Sequence, residues 1–238
     1  MPIHALFAQP ALFSKFATRI CAAVALVIGG GWLVAWISGA PPRWGVSMIT
    51  VKTNMALAQF LGAAGLLLVA AHDLSFGRRL AGGIIAFILI PVGSLTFTQH
   101  LTGADFGIDQ LLYTEPPGAL ATVAPNRMGP PGSLCVALAG CGLLALATGY
   151  RRVAPLFGIG IIAIALVPVI GYLSSVSQFY SDAKVTGIAW YSLAALCSIG
   201  LGLIIAYHEG PPLEHLLRND AGGVLLRRAL PVTVALQS

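Results

Sequence analysis

Six apolar runs, each about as long as one membrane-spanning helix, dominate this sequence. They cover residues 16–38, 53–72, 79–98, 132–150, 154–174 and 185–207. A helix needs about twenty apolar residues to cross the hydrocarbon core of a bilayer. Charged residues make up only 9% of the chain, whereas soluble domains carry about 25%. The sequence therefore predicts an all-α, polytopic transmembrane bundle with six full spans and excludes a water-soluble globular domain.

The Lys and Arg residues are distributed unevenly around these runs. Nine of the thirteen fall on one predicted side of the membrane: Lys15, Arg19, Arg78, Arg79, Arg151, Arg152, Arg218, Arg227 and Arg228. Loops rich in Lys and Arg stay in the cytoplasm. The pattern predicts a bacterial inner-membrane protein with a cytoplasmic segment 1–15, a bundle 16–207 with an outer loop 99–131, and a cytoplasmic segment 208–238. The net charge of +5 reflects this topology, and no basic, aromatic-rich surface for nucleic acid is visible.

The last ten residues, ALPVTVALQS, form a short apolar segment after Arg227 and Arg228. Ten helical residues reach about 15 Å, half the thickness of the hydrocarbon core. We therefore expect a truncated seventh span, which is either the start of a longer chain or a half-inserted helix.

An internal repeat connects the middle of the chain to its second half. Residues 84–93 read IIAFILIPVG and residues 161–170 read IIAIALVPVI, an offset of 77 that aligns Pro91 with Pro168. The preceding runs carry glycines in similar apolar frames, and the last run repeats them: Gly62 with Gly65, Gly140 with Gly142, and Gly200 with Gly202. The repeated unit is a helical hairpin, and the copies are parallel, so we expect them to be related by an axis along the membrane normal.

The repeated prolines and glycines have structural and functional interpretations. A proline within a span frees one carbonyl and commonly produces a kink. The functional alternative makes Pro91 and Pro168 hinges that let the outer helix ends move. The glycines favour close packing between helices.

Ionisable residues are absent from the middle of every run, and Gln59 is the one amide well inside a span. This pattern argues against a proton relay, an ion path or an intramembrane protease. No catalytic motif and no metal-ligand spacing is present, so we expect neither catalysis nor a bound metal. His72 and His208 end inward-going runs at equal depth. They are either interfacial imidazoles or, as the one cofactor alternative, haem ligands.

The outer loop carries the most polar internal segment. Asp105 and Asp109 are four residues apart, which places both on one face of a helix. The sequence predicts a short amphipathic helix over residues 105–113, with Asp105 near its N-terminus and Pro116 and Pro117 after its end. Leu111 and Leu112 are expected to face the bundle or lipid, and Asp109 to face water or Arg127.

This loop also provides the candidate binding site. Asp105, Asp109 and His100 are predicted at the mouth of the bundle, with Arg127 as their partner. Such a cluster suits a cation, a small ligand or a partner protein. The structural alternative is a capped interfacial helix that only covers the bundle.

Three segments resemble landmarks of the polytopic membrane sensor domain that stands at the N-terminus of many bacterial histidine kinases, often ahead of PAS modules. They read DFGIDQLLY at 105–113, PNRMGPPGSL at 125–134 and LLRNDAGGVLLRRALP at 216–231. The family pattern is Asp-x-Gly-Ile-Asp-x-Leu-Leu, then Arg-Met-x-Pro-Asn-Thr, then an inner loop with Asp, two glycines and two arginines. This chain has Pro131 and Gly132 in place of the family's Asn-Thr, which implies an altered ligand pocket.

The resemblance implies roles for two sets of residues. The outer motif positions are Asp105, Gly107, Asp109 and Arg127, and the inner, output positions are Asp220, Gly222, Gly223, Arg227 and Arg228. The implied function is a sensory input module without catalysis of its own. It would pass a periplasmic or membrane cue to a cytoplasmic effector, with the bilayer and a second copy of the chain as further partners. The alternatives are an accessory or assembly subunit of a membrane complex and, disfavoured by the apolar spans, a small transporter.

Overall fold

A computed structural model of the chain describes residues 10–39, 49–71, 73–116 and 118–207. Every regular element in these ranges is helical, so the predicted all-α class is confirmed. The helices are α1 (Pro10–Ile37), α2 (Thr53–Val69), α3 (Phe76–Thr102), α4 (Pro130–Thr148), α5 (Ala154–Leu173), α6 (Gln178–Ser181) and α7 (Trp190–Ala206). A 3-10 turn at Arg151–Val153 precedes α5. Segments 1–9 and 208–238, with the predicted seventh span and the output residues, lie outside the described ranges.

Four of these helices are long and apolar enough to cross a membrane: Leu12–Ile37, Phe76–Thr102, Pro130–Thr148 and Arg151–Leu173. The other two apolar runs form shorter helices, since α2 and α7 have 17 residues each. At 1.5 Å per residue each reaches about 26 Å, a few ångströms less than a typical hydrocarbon core. The predicted six full spans are therefore four full-length helices and two shorter ones. Run 185–207 is shortened because its first residues lead into α7 without joining it.

The six apolar helices form an inner and an outer layer. Helices α2, α4 and α7 contact one another, and each outer helix lies between two of them. Helix α1 packs on α2 and α7, α3 packs on α2 and α4, and α5 packs on α4 and α7. In the most apolar 18 residues of each helix, about 67% are buried in α4, against 28% in α1, 28% in α3 and 33% in α5. The apolar residues that remain exposed, such as Val27, Phe87 and Leu173, lie mainly on the outer helices.

Three glycine–leucine contacts join the inner helices in cyclic order. The side chain of Leu143 in α4 packs on Gly65 of α2, and that of Leu203 in α7 packs on Gly142 of α4. The side chain of Leu66 in α2 packs on Gly202 of α7 and completes the cycle. All three leucines are fully buried. The glycines are 77 and then 60 residues apart, and so are the leucines. The contacts therefore relate the three inner helices by an approximate threefold rotation about the long axis of the bundle, and α1 fills the third outer position.

Each of these glycines is required by the space that its leucine occupies. A Cβ at Gly65 would lie 2.8 Å from Cδ1 of Leu143, and a Cβ at Gly142 would lie 2.7 Å from Cδ1 of Leu203. Such distances are below van der Waals contact, so a larger residue would require the fully buried leucine to shift or the inner helices to move apart. The glycines thus act as packing points between helices, as the sequence predicts.

The two repeated prolines lie inside continuous helices. Pro91 is within the 27-residue α3 and Pro168 within the 20-residue α5, and neither proline ends its helix. Pro91 is exposed whereas Pro168 is buried. Equivalent positions in the repeat therefore have different surroundings, and the hinge role of both prolines stays a prediction.

The side chain of Arg151 caps the C-terminal ends of two inner helices. Its Nη2 donates to the carbonyl oxygens of Ala70 at 3.1 Å and Ala206 at 3.0 Å, and its Nη1 donates to that of Ala71 at 3.0 Å. These carbonyls belong to the C-terminal ends of α2 and α7. A guanidinium suits this place because the last carbonyls of a helix lack partners and carry partial negative charge.

Candidate functional site

The segment between α3 and α4 lies at the opposite end, where the three inner helices begin. The predicted helix over 105–113 is wrong, because these residues form turns and bends or have no regular structure. Oδ1 of Asp105 accepts a hydrogen bond from the backbone N–H of Gly107 at 2.9 Å, and Gly107 has a φ of 68°. This local turn competes with helix formation and reverses the chain. Asp105 therefore stabilises a turn and not a helix N-terminus.

Asp109 is the buried centre of this segment. Its Oδ2 accepts a hydrogen bond from Nε of Arg127 at 2.6 Å, and both side chains are only 7% exposed. Nε2 of Gln99, in the last turn of α3, lies 3.2 Å from each carboxylate oxygen. Asp109 thus faces Arg127, one of the two alternatives that the sequence left open. Gln99 was missed, although a polar residue near the end of an apolar run is the signal that marks it.

Two asparagines hold the backbone of the segment against α2. Nδ2 of Asn54 donates to the carbonyl of Asp109 at 3.1 Å, and Nδ2 of Asn126 donates to the same carbonyl at 2.8 Å. Oδ1 of Asn126 accepts from the N–H of Thr53 at 2.9 Å, which satisfies one free amide at the start of α2. Asn126 is fully buried with a φ of 57°, a conformation that asparagine tolerates.

A second buried ion pair lies beside the first. Nζ of Lys52 is 2.8 Å from both carboxylate oxygens of Glu115, and the side chains are 7% and 6% exposed. Burial lowers the pKa of the Lys52 ammonium, and the hydrogen bond to Glu115 opposes that shift. Glu115 also accepts the backbone N–H of Asn126. The sequence offers no signal for this pair, because its members are 63 positions apart.

An aromatic contact extends the same segment to α1. The rings of Trp36 and Tyr113 have centroids 4.6 Å apart, and Nε1 of Trp36 donates to the carbonyl of Val51 at 2.8 Å. Residues 103–116 and 118–129 therefore contact α1, α2, α3 and the start of α4.

The remaining predicted site residues lie at the rim. Oδ1 of Asp105 is 3.4 Å from Nη2 of Arg127, but the Asp105 side chain is 75% exposed. His100 does not join the carboxylates, because its Nε2 lies 2.7 Å from the carbonyl oxygen of Met128. Leu111 is 75% exposed and Leu112 53% exposed, on the outside of the segment. The structure thus brings together Asp105, Asp109 and Arg127, while Gly107 shapes the turn.

Pro131 and Gly132, which differ from the family pattern that the sequence resembles, lie in the first turn of α4. Prolines at 130 and 131 suit a helix start, because their missing N–H groups would have no partner there. The neighbouring Gly132 leaves room for the Met55 side chain of α2. This part of the site is therefore filled by apolar packing between two inner helices.

Within the described ranges, no three His, Cys, Asp or Glu side chains are grouped so that they could hold a metal ion. His72 and His208, the haem alternative, both lie outside those ranges.

Comparison of the chain with models of known protein families, with curated proteins and with solved structures finds no match. The function of the chain must therefore be argued from its own geometry.

Proposed function

We propose that the protein is an integral membrane signal-input module of the kind that precedes bacterial histidine kinases. Six helices would span the inner membrane, with the N-terminus in the cytoplasm and the segment 103–129 outside. A periplasmic or membrane cue would be passed to a cytoplasmic effector. The observation that carries this proposal is the ionic network at one end of the bundle, which joins Lys52 to Glu115 and Arg127 to Asp105 and Asp109.

The network suits signal input because it connects an exposed side chain, Asp105, to buried residues at the ends of helices. Asp105 is accessible, and its partner Arg127 is buried and bonded to Asp109. Asp109 in turn contacts Gln99 of α3, and its carbonyl oxygen binds Asn54 of α2. A ligand that competes for Asp105 or for Arg127 therefore acts on helices α2, α3 and α4 together.

The opposite end of the bundle offers a route for output. Arg151 follows α4 and binds the last carbonyls of α2 and α7. A displacement of one inner helix along its axis would break these hydrogen bonds, so the three C-terminal ends are expected to move as a unit. Segment 208–231 follows α7 directly and would carry that movement to the effector.

The membrane placement rests on length and composition. Four helices are long enough to cross a bilayer, and α2 and α7 are apolar and surrounded by them. The two shorter helices would cross in full because local thinning or the extended residues beside them can make up a few ångströms. Lipid contacts would fall on α1, α3 and α5.

The proposal is tested by joining the whole chain to the catalytic core of a histidine kinase in nanodiscs. Autophosphorylation is measured while pH and divalent cation concentration are varied. The Asp105→Asn variant is expected to change the response by about fivefold, a typical coupling between distant sites. The matched control is Asp182→Asn. Asp182 is also exposed and forms a turn of the same kind, in which its Oδ1 accepts a hydrogen bond from the N–H of Lys184 at 2.8 Å.

An output that is independent of pH and cations in the wild-type fusion, and equal in both variants, would contradict the sensory role. Stable co-purification of the chain with other membrane subunits under those conditions would favour the accessory-subunit alternative.

A further inference from the structure

A small cavity lies where the N-terminal ends of the three inner helices converge. Its volume is about 20 Å³, which is enough for one water-sized occupant. The residues that precede α2, α4 and α7, namely Lys52, Gly129 and Ala189, all line it. They are 77 and 60 residues apart, the same spacing as the three glycine–leucine contacts. The cavity therefore lies close to the approximate threefold axis of the bundle.

The lining of this cavity is electropositive. Both buried cations of the site, Lys52 and Arg127, line it, whereas their partners Glu115 and Asp109 do not. Three helices begin there in parallel, and each N-terminus carries about half a positive charge. The residues before the three helices do not cap them with their side chains, and at α2 the amide of Thr53 is bound by Oδ1 of Asn126. Glu115 and Asp109 balance the two side-chain cations, and the third carboxylate, Asp105, is 75% exposed and does not line the cavity. None of the three therefore faces the positive ends of the helices from within the cavity.

Two buried donors that line the cavity have unused hydrogen-bonding capacity. Arg127 donates from Nε to Asp109 and from Nη2 to Asp105, and its Nη1 has no acceptor among the described residues. The hydroxyl of Ser192 also has no partner within the described ranges, and Ser192 is only 2% exposed. Neither atom is among the fully buried polar atoms that lack a partner, so both open onto the cavity and can donate to its occupant. These donors point to an acceptor between the three helix ends.

We propose that this cavity binds a single monatomic anion of about the size of chloride. Helix N-termini and a guanidinium both favour an anion over a neutral occupant. A space of about 20 Å³ fits a single-atom anion better than sulfate or phosphate, each of which has five heavy atoms. The bound anion would neutralise the positive helix ends on the axis and hold α2, α4 and α7 together. This inference does not depend on the sensory role, since it concerns the stability of the helix junction itself.

The first test measures the thermal unfolding of the purified full chain in detergent against chloride concentration. Gluconate or sulfate keeps the ionic strength constant. A saturable rise in melting temperature with chloride or bromide, absent with sulfate, is expected, together with broadening of the ³⁵Cl resonance on addition of protein. A melting temperature that does not depend on the halide would overturn the proposal and leave a water molecule as the occupant.

The second test assigns the site. Ser192→Ala removes one donor and should weaken chloride binding about fivefold, the effect of losing one ordinary hydrogen bond. Ser198→Ala is the matched control, because Ser198 lies on the same helix and its hydroxyl already binds the carbonyl of Ala194 at 2.8 Å. Equal chloride affinity in wild type and Ser192→Ala would overturn the assignment. Should Ser192→Ala fail to fold, the wild-type titration with and without halide still decides whether the site exists.

Discussion

Nε of Arg127 lies 2.6 Å from Oδ2 of Asp109, and each side chain is only 7% exposed. A buried ion pair of this kind is costly to break, because removal of one partner leaves an uncompensated charge in a low-dielectric place. The same pair is reached from outside through Asp105, whose side chain is 75% exposed. The segment between α3 and α4 thus combines a buried centre with an accessible carboxylate at its surface.

Asp109→Asn is expected to destabilise the protein by about 3 kcal/mol, because it leaves the Arg127 charge buried without its partner. Asp105→Asn should cost less than about 1 kcal/mol, since exposed pairs contribute little. Thermal unfolding in detergent measures both. Equal, small losses would mean that Arg127 reaches solvent when Asp109 is neutral. Insertion of both variants into the membrane serves as the control.

Lys52 and Glu115 should show strong energetic coupling. Lys52→Met and Glu115→Gln each leave one buried charge unpaired, and each should cost about 3 kcal/mol. The double variant removes both charges, so it should be more stable than the sum of the single losses predicts, by about 1 to 3 kcal/mol. A double-mutant cycle on unfolding free energies measures this coupling. Losses that add to within about 0.5 kcal/mol would show that the pair does not act as a unit.

The glycine–leucine contacts predict a sharp dependence on position. Gly142→Ala places a methyl group against Leu203 and should destabilise the bundle by about 1 to 3 kcal/mol through overpacking. Gly83→Ala is the matched control, since nothing lies within 4 Å of a Cβ at that exposed face of α3. Because alanine favours helix over glycine, the control should be neutral or stabilising by about 0.5 to 1 kcal/mol. A larger loss of stability in Gly83→Ala than in Gly142→Ala would contradict the role of Gly142 as a packing point.

Arg151 is expected to protect the ends of two inner helices from opening. Arg151→Gln should speed amide hydrogen exchange over the last turns of α2 and α7 by roughly tenfold, since loss of a cap costs about 1 kcal/mol or more. Arg152→Gln, at the exposed neighbouring position, is the control and should leave exchange unchanged. Equal exchange in both variants would show that the carbonyl contacts of Arg151 do not limit opening.

The orientation of the chain is tested by cysteine labelling of intact cells. The four native cysteines are first replaced, and single cysteines are introduced as Ala119→Cys and Arg78→Cys. The uneven distribution of Lys and Arg predicts that a membrane-impermeant reagent modifies position 119 and not position 78. Labelling of position 78 from outside would reverse the orientation.

The sequence was informative wherever a local pattern decides the outcome. The apolar runs predicted the helices, and the sequence left Asp109 facing either water or Arg127, of which the structure shows Arg127. The i, i+4 aspartate spacing led to a helix over 105–113 that does not form, because the turn between Asp105 and Gly107 and the bonds from Asn54, Asn126 and Gln99 hold the segment in an irregular conformation. Local spacing carries no information about partners that come from distant helices.

The sequence by itself determined the helical class, the approximate helix boundaries and the repeat, since apolar run length and offset are properties of the chain alone. Only the tertiary structure decided that α2, α4 and α7 form the inner layer, that Lys52 meets Glu115, and that three helix N-termini enclose one cavity. The physical reason is that these features depend on which helices become neighbours. That choice is made by the fit of Leu66, Leu143 and Leu203 against glycines on adjacent helices, a contact between segments far apart in the chain.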